Sequence, residues 1–85
     1  MAMLGDIDGQ LIWRCRRGMR ELDTLLTRYL TTRYPAADSS ERKAFESVLD
    51  LADPELWAFI LHQRVPADPV VRRVIEHIAA PGPYA

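Results

Sequence analysis

Met19-Arg20-Glu21-Leu22-Asp23-Thr24-Leu25-Leu26-Thr27-Arg28-Tyr29-Leu30-Thr31-Thr32-Arg33 carries the clearest periodicity in the chain. Leu22, Leu25, Leu26, Tyr29 and Leu30 fall at i, i+3, i+4, i+7 and i+8, one unbroken apolar stripe, while Asp23, Thr24, Thr27 and Arg28 lie off it. The spacing predicts an amphipathic helix over residues 19 to about 33. Tyr34-Pro35 stops it, because the residue before a proline is biased away from the helical region.

Downstream, apolar faces recur behind helix-start signals. Asp38 and Glu41 have the spacing of a capping box, followed by Ala44, Phe45, Val48, Leu49 and Ala52. Asp53-Pro54-Glu55 offers a capping carboxylate, a proline at the first helical position and an acid that complements the dipole. The segment behind it, with Leu56, Trp57, Phe59, Ile60 and Leu61, is apolar enough to be buried on most sides. Asp68-Pro69 repeats the signal ahead of Val70, Val71, Val74, Ile75 and Ile78, and Pro81-Gly82-Pro83 ends that helix.

Upstream, Asp6 or Asp8 caps a first helix with Leu11, Ile12, Cys15 and Met19 at helical spacing. Glycine inside a helix costs about 1 kcal/mol relative to alanine. Gly18 therefore marks a junction, a bend or a close approach of two backbones. No stretch alternates with a two-residue period. The expectation is all-α: a compact bundle of five short helices, one domain over residues 1–85, with 1–6 and 80–85 as mobile tails. Short loops should pack neighbouring helices antiparallel or at steep angles.

The 85 residues are 48% hydrophobic and 27% charged, a globular composition. A domain of this size buries only about 60–65% of its unfolded surface. It rarely builds both a core and a deep catalytic cleft, which favours a binding or helper module. A net charge of −1 argues against general nucleic-acid binding. The charge is uneven, however. Between residues 13 and 33, Arg14, Arg16, Arg17, Arg20, Arg28 and Arg33 face only Glu21 and Asp23, and the rest of the chain is acidic. Lys43 is the only lysine; the planar arginine fork suits carboxylates and phosphates. The single cysteine, Cys15, excludes an internal disulfide and fits a reducing cytosol. Residues 1–12 lack the basic start and long apolar run of a secretory signal. No apolar run approaches the roughly 20 residues that span a bilayer. The reading is a soluble, cytoplasmic chain.

Catalytic chemistry is sparse. Cys15 lies on the apolar face of the first helix and reads as a buried small hydrophobe, though its arginine neighbours would lower its pKa if it were exposed. His62 and His77 fall on different predicted helices with no cysteine or carboxylate at ligand spacing, which speaks against a metal site. Without strands there is no phosphate-cradling glycine loop and no dinucleotide fingerprint. Phe45, Trp57, Phe59 and Tyr29 belong to apolar stripes and read as core. Trp13 sits beside the Leu11/Cys15 face, a half-exposed indole among arginines, as suits a protein interface. Arg17 and Glu21 stand at i, i+4. An ion pair on a solvated helix face contributes only about 0.3–0.5 kcal/mol, little reason to accept a helix-weakening Gly18 between them. A solvated rim and a binding surface both remain open on the residues alone.

The run Trp13-Arg14-Cys15-Arg16-Arg17-Gly18-Met19-Arg20-Glu21-Leu22-Asp23 closely resembles the signature of the SdhE/YgfY family. This is the bacterial counterpart of succinate dehydrogenase assembly factor 2, some members of which carry the label antitoxin CptB. Its hallmark Arg-Gly-x-x-Glu motif is matched by Arg17, Gly18 and Glu21. Glu41-Arg42-Lys43-Ala44-Phe45-Glu46, Leu49 with Asp53-Pro54-Glu55-Leu56, and Pro66-Ala67-Asp68 extend the likeness over residues 13 to 78. The resemblance implies a non-enzymatic, five-helix assembly factor. Such a factor binds the flavoprotein subunit of succinate dehydrogenase, and often that of fumarate reductase, and promotes covalent attachment of FAD to a client histidine. FAD then belongs to the client, and this chain binds no cofactor or metal. Arg17, Gly18 and Glu21 become partner contacts, flanked by Trp13, Arg16 and Met19, with no catalytic residue and a monomeric free state. The competing function class is an antitoxin-like regulatory interaction protein.

Overall fold

Five α-helices and one 3-10 turn make up the computed structural model, which describes residues 9–79. They are α1 (Gly9–Arg14), α2 (Arg20–Thr32), the 3-10 turn (Tyr34–Ala36), α3 (Ser39–Leu49), α4 (Asp53–Ile60) and α5 (Pro69–Ala79). Among the described residues there is no strand, so the all-α expectation holds. The capping role of Asp6 or Asp8 and the tails at 1–6 and 80–85 lie outside the described residues.

The stripe on α2 turns inward as its spacing predicts. Leu22, Leu26, Tyr29 and Leu30 are buried, and Leu25 packs partly buried against the same core. α3 supplies Ala44, Phe45, Val48 and Leu49; α5 supplies Val74, Ile75 and Ile78. These two helices form the most extensive pairing in the fold. Each fully buried leucine or isoleucine contributes about 1.5–3 kcal/mol, so this three-helix centre carries most of the stability. Tyr29 stacks on Phe45 with ring centroids 4.6 Å apart, and Tyr34 meets the same ring at 5.6 Å. The 3-10 turn set by Pro35 thereby closes the α2–α3 corner over the core.

Of the three aspartate start signals among the described residues, two act as caps. Asp38 Oδ1 accepts the Glu41 amide at 2.8 Å, and Asp68 Oδ1 accepts the Val70 amide at 2.8 Å. Asp53 does not. It lies inside the first turn of α4, Ala52 stands at the cap position with no side-chain hydrogen bond, and the Asp53 carboxylate is taken elsewhere. α4 is also less enclosed than its composition suggested. Leu56, Phe59 and Ile60 are buried, but Trp57 is only partly so and Leu61 is exposed. A two-turn helix leaning on α5 has one face to bury and leaves the other in water. No described helix is long and apolar enough to cross a membrane.

Candidate partner-binding site

α1 is tied to the core by Leu11 and by the fully buried Cys15 just beyond its end. The Cys15 amide still donates to Leu11 O at 3.1 Å and the Arg16 amide to Trp13 O at 3.0 Å. The helix then breaks. Gly18 has φ +90°, a left-handed conformation that costs an L side chain roughly 1–2 kcal/mol. No atom lies within 4 Å of the place a Cβ would occupy there. Backbone conformation therefore calls for glycine at this junction. The close approach of α1 and α2 backbones at Gly18, one of the sequence readings, is not formed. Met19 follows in an extended conformation, and α2 starts at Arg20.

The break parts Arg17 from Glu21. The i, i+4 relation needs a continuous helix, and the two residues make no ion pair. Arg17 turns inward, with its side chain 14% exposed. Its Nε donates to Asp53 Oδ1 at 2.7 Å, one terminal nitrogen donates to Leu49 O at 2.7 Å, and the other donates to Leu51 O. Its backbone amide donates to Asp23 Oδ1 at 2.6 Å. Arg14 reaches the same region, donating to Glu46 O at 3.1 Å and to Asp50 Oδ1 at 2.6 Å.

These bonds answer a need of α3. A helix leaves its last four carbonyls without intrahelical partners. In α3 the Ser47 and Val48 carbonyls accept from the Asp50 and Leu51 amides, while Glu46 and Leu49 accept from Arg14 and Arg17. Cations at a helix C-terminus also complement its dipole. Sequence reasoning missed Asp23, Asp53 and this cap. The available signal was that α3 has no basic residue in its last turn and no glycine behind it, so donors had to come from outside.

The outward side of the junction is different in kind. Trp13 is 74% exposed, and Ile12 beside it is exposed as well. Arg16, Gly18, Arg20 and Glu21 are exposed, and Glu21 makes no ion pair with another described residue. Met19 is partly buried against the core. Arg16 also lines a shallow groove of about 540 Å³ with Asp23, Thr24, Thr27, Arg28 and Thr31. Cys15 offers no nucleophile here. Burial pushes its thiol up to about 11, outweighing the pull of Arg17 and Arg14, so it stays protonated at neutral pH. Among the described residues no cluster of histidine, cysteine and carboxylate groups could hold a metal ion.

Residues 9–81 match the family described as flavinator of succinate dehydrogenase. The chain is 44% identical over 72 residues to the FAD assembly factor SdhE of Methylococcus capsulatus, covering 85% of this chain and 87% of that protein. It is 42% identical over 71 residues to the FAD assembly factor SdhE of Xylella fastidiosa, covering 84% and 73%. The SdhE of Haemophilus ducreyi is 34% identical over 68 residues, covering 80% and 83%. No solved structure matches.

Proposed function

The chain belongs to the succinate dehydrogenase flavinator family, and from that membership we propose that it binds the flavoprotein subunit of succinate dehydrogenase and promotes covalent attachment of FAD to it. The observation that carries this reading beyond the family match is the exposed junction between α1 and α2. There a bare glycine backbone at φ +90° lies in open space, and five residues earlier in the same segment stands an indole that is 74% exposed. Gly18 lets the client come close to the backbone. Glu21, free of intramolecular ion pairing with the described residues, offers charge-assisted hydrogen bonds that fix orientation. Trp13 and Arg16 add residue types enriched at interface hot spots. Met19 sets where α2 begins, and Arg17 supports the surface from behind.

The chain has no turnover of its own in this reading. FAD is the client's cofactor, and the bond to it forms within the client while the helper holds the client in a competent arrangement. The buried, protonated Cys15 at the centre of the segment fits such a role. The test mixes purified apo-flavoprotein subunit with FAD, with and without this chain, and follows covalent flavin by in-gel fluorescence. Faster and more complete labelling in its presence is the expected result. Equal labelling with and without the chain would end the proposal. The flavoprotein of fumarate reductase, run in the same assay, tells whether the surface serves both clients.

A further inference from the structure

We propose that Asp53, on α4, is a positioning residue of the partner-binding segment. Acting through Arg17, it holds Gly18 in its left-handed conformation before any partner arrives. The inference deepens the function proposed above and rests on it for its consequence. The space a Cβ would fill at Gly18 is open, so no contact there fixes its conformation. Glycine is the residue with the widest backbone freedom. Its conformation must be set by its flanks. On one side the start of α2 provides a rigid frame. On the other, Arg17 is held at both ends: its amide by Asp23 at 2.6 Å, its guanidinium by Asp53 at 2.7 Å and by the Leu49 and Leu51 carbonyls.

Among the described residues Asp53 is the one charged acceptor on that guanidinium, and it serves there instead of capping its own helix. α1 is anchored by Leu11 and, just beyond its end, by the buried Cys15, so from Arg16 to Gly18 the chain is held on this side through Arg17. Asp53 is therefore neither a contact nor a catalyst. It keeps the loop preorganised, and a binding surface that is competent only part of the time loses apparent affinity by that fraction.

The test uses the full chain with Asp53→Ala, Asp53→Asn, Arg17→Ala and the Asp53→Ala/Arg17→Ala double variant. Backbone NMR of the free protein reports the loop, and flavinylation rate against chain concentration reports its use. In Asp53→Ala the amides of Arg17, Gly18 and Met19 should shift and exchange faster while those of α2, α3 and α5 hold. The half-saturating concentration should rise about tenfold with the maximal rate kept within about twofold, since only the competent fraction changes. Asp53→Asn, which keeps the oxygen acceptor but not the charge, should fall between, and the double variant should match Arg17→Ala. An undisturbed Gly18 amide in Asp53→Ala overturns the proposal, as does a reduced maximal rate at unchanged half-saturation. If the unaltered chain fails to stimulate flavinylation, the function reading falls, while the NMR comparison still judges the latch.

Discussion

The hydroxyl of Tyr29 on α2 donates to Oε2 of Glu41 on α3 at 2.5 Å, and Arg33 Nε donates to the same oxygen at 2.9 Å. Burial raises the Glu41 pKa, but these two hydrogen bonds together with the charges of Arg33 and His77 outweigh it and hold the carboxyl below its ordinary value of 4.5. A carboxylate depressed in the folded state contributes stability above its unfolded pKa and loses it as pH falls through the folded one. Glu41→Gln should therefore lower stability near neutral pH by about 1–2 kcal/mol and flatten the acid limb of the Tm profile. Thermal melts stepped downward from neutral pH check this. An acid limb as steep as that of the unaltered chain would mean that Glu41 is not part of it.

Gly18 separates a conformational demand from a steric one. Gly18→Ala places an L side chain at φ +90° and should cost about 1–2 kcal/mol. Gly18→Arg should leave helicity intact by circular dichroism and abolish stimulation of flavinylation, because its side chain stands where the client would approach. A chemically made chain with D-alanine at 18 keeps the positive φ. Normal melting with impaired flavinylation in that variant assigns glycine to close approach, and full activity assigns it to conformation alone.

Arg14 and Asp50 form an ion pair whose partners should not weigh equally. Asp50 has its side chain 77% exposed, where an ion pair contributes about 0–1 kcal/mol. Arg14 is 35% exposed and also donates to the Glu46 carbonyl at the end of α3. Arg14→Ala should destabilise by about 1 kcal/mol more than Asp50→Ala. Raising the salt concentration should erase most of the Asp50 effect and less of the Arg14 effect. Denaturant titrations at low and high salt measure both.

Cys15 should behave as a core atom. With 0% exposure and a thiol pushed by burial up to about 11, it should resist Ellman's reagent at pH 8 until the protein unfolds. A raised thiol pKa contributes stability below its ordinary value of 9.0 and loses it as pH climbs through the folded value. Cys15→Ser should cost more than Cys15→Ala, because a buried hydroxyl without a partner carries about 1–3 kcal/mol of desolvation. Rapid labelling of the native state would show that the segment opens far more readily than its packing implies.

Local patterns proved legible where the physics is local. The α2 stripe from Leu22 to Leu30 is buried in register, and the Asp38 and Asp68 caps form because cap and amide lie within three residues of each other. Asp53-Pro54 carries the same signature as Asp68-Pro69 and does something else. The competing partner, Arg17, stands 36 residues away, a distance no window of local spacing covers. The candidate site shows the same division. Gly18 was readable as a break in the helix. The inward turn of Arg17 was not, because it answers a shortage of donors at the far end of α3.

The latch also has an order in time. The Arg-Gly-x-x-Glu segment leaves the ribosome first, and the carboxylate that clasps Arg17 is added 36 residues later. A nascent or truncated chain that stops short of α4 contains every residue of the motif without the geometry that displays it. If the junction is the surface a client reads, as proposed above, that surface is completed only by a chain that has reached α4 and folded it back, and such a client would engage finished helpers and pass over partial ones.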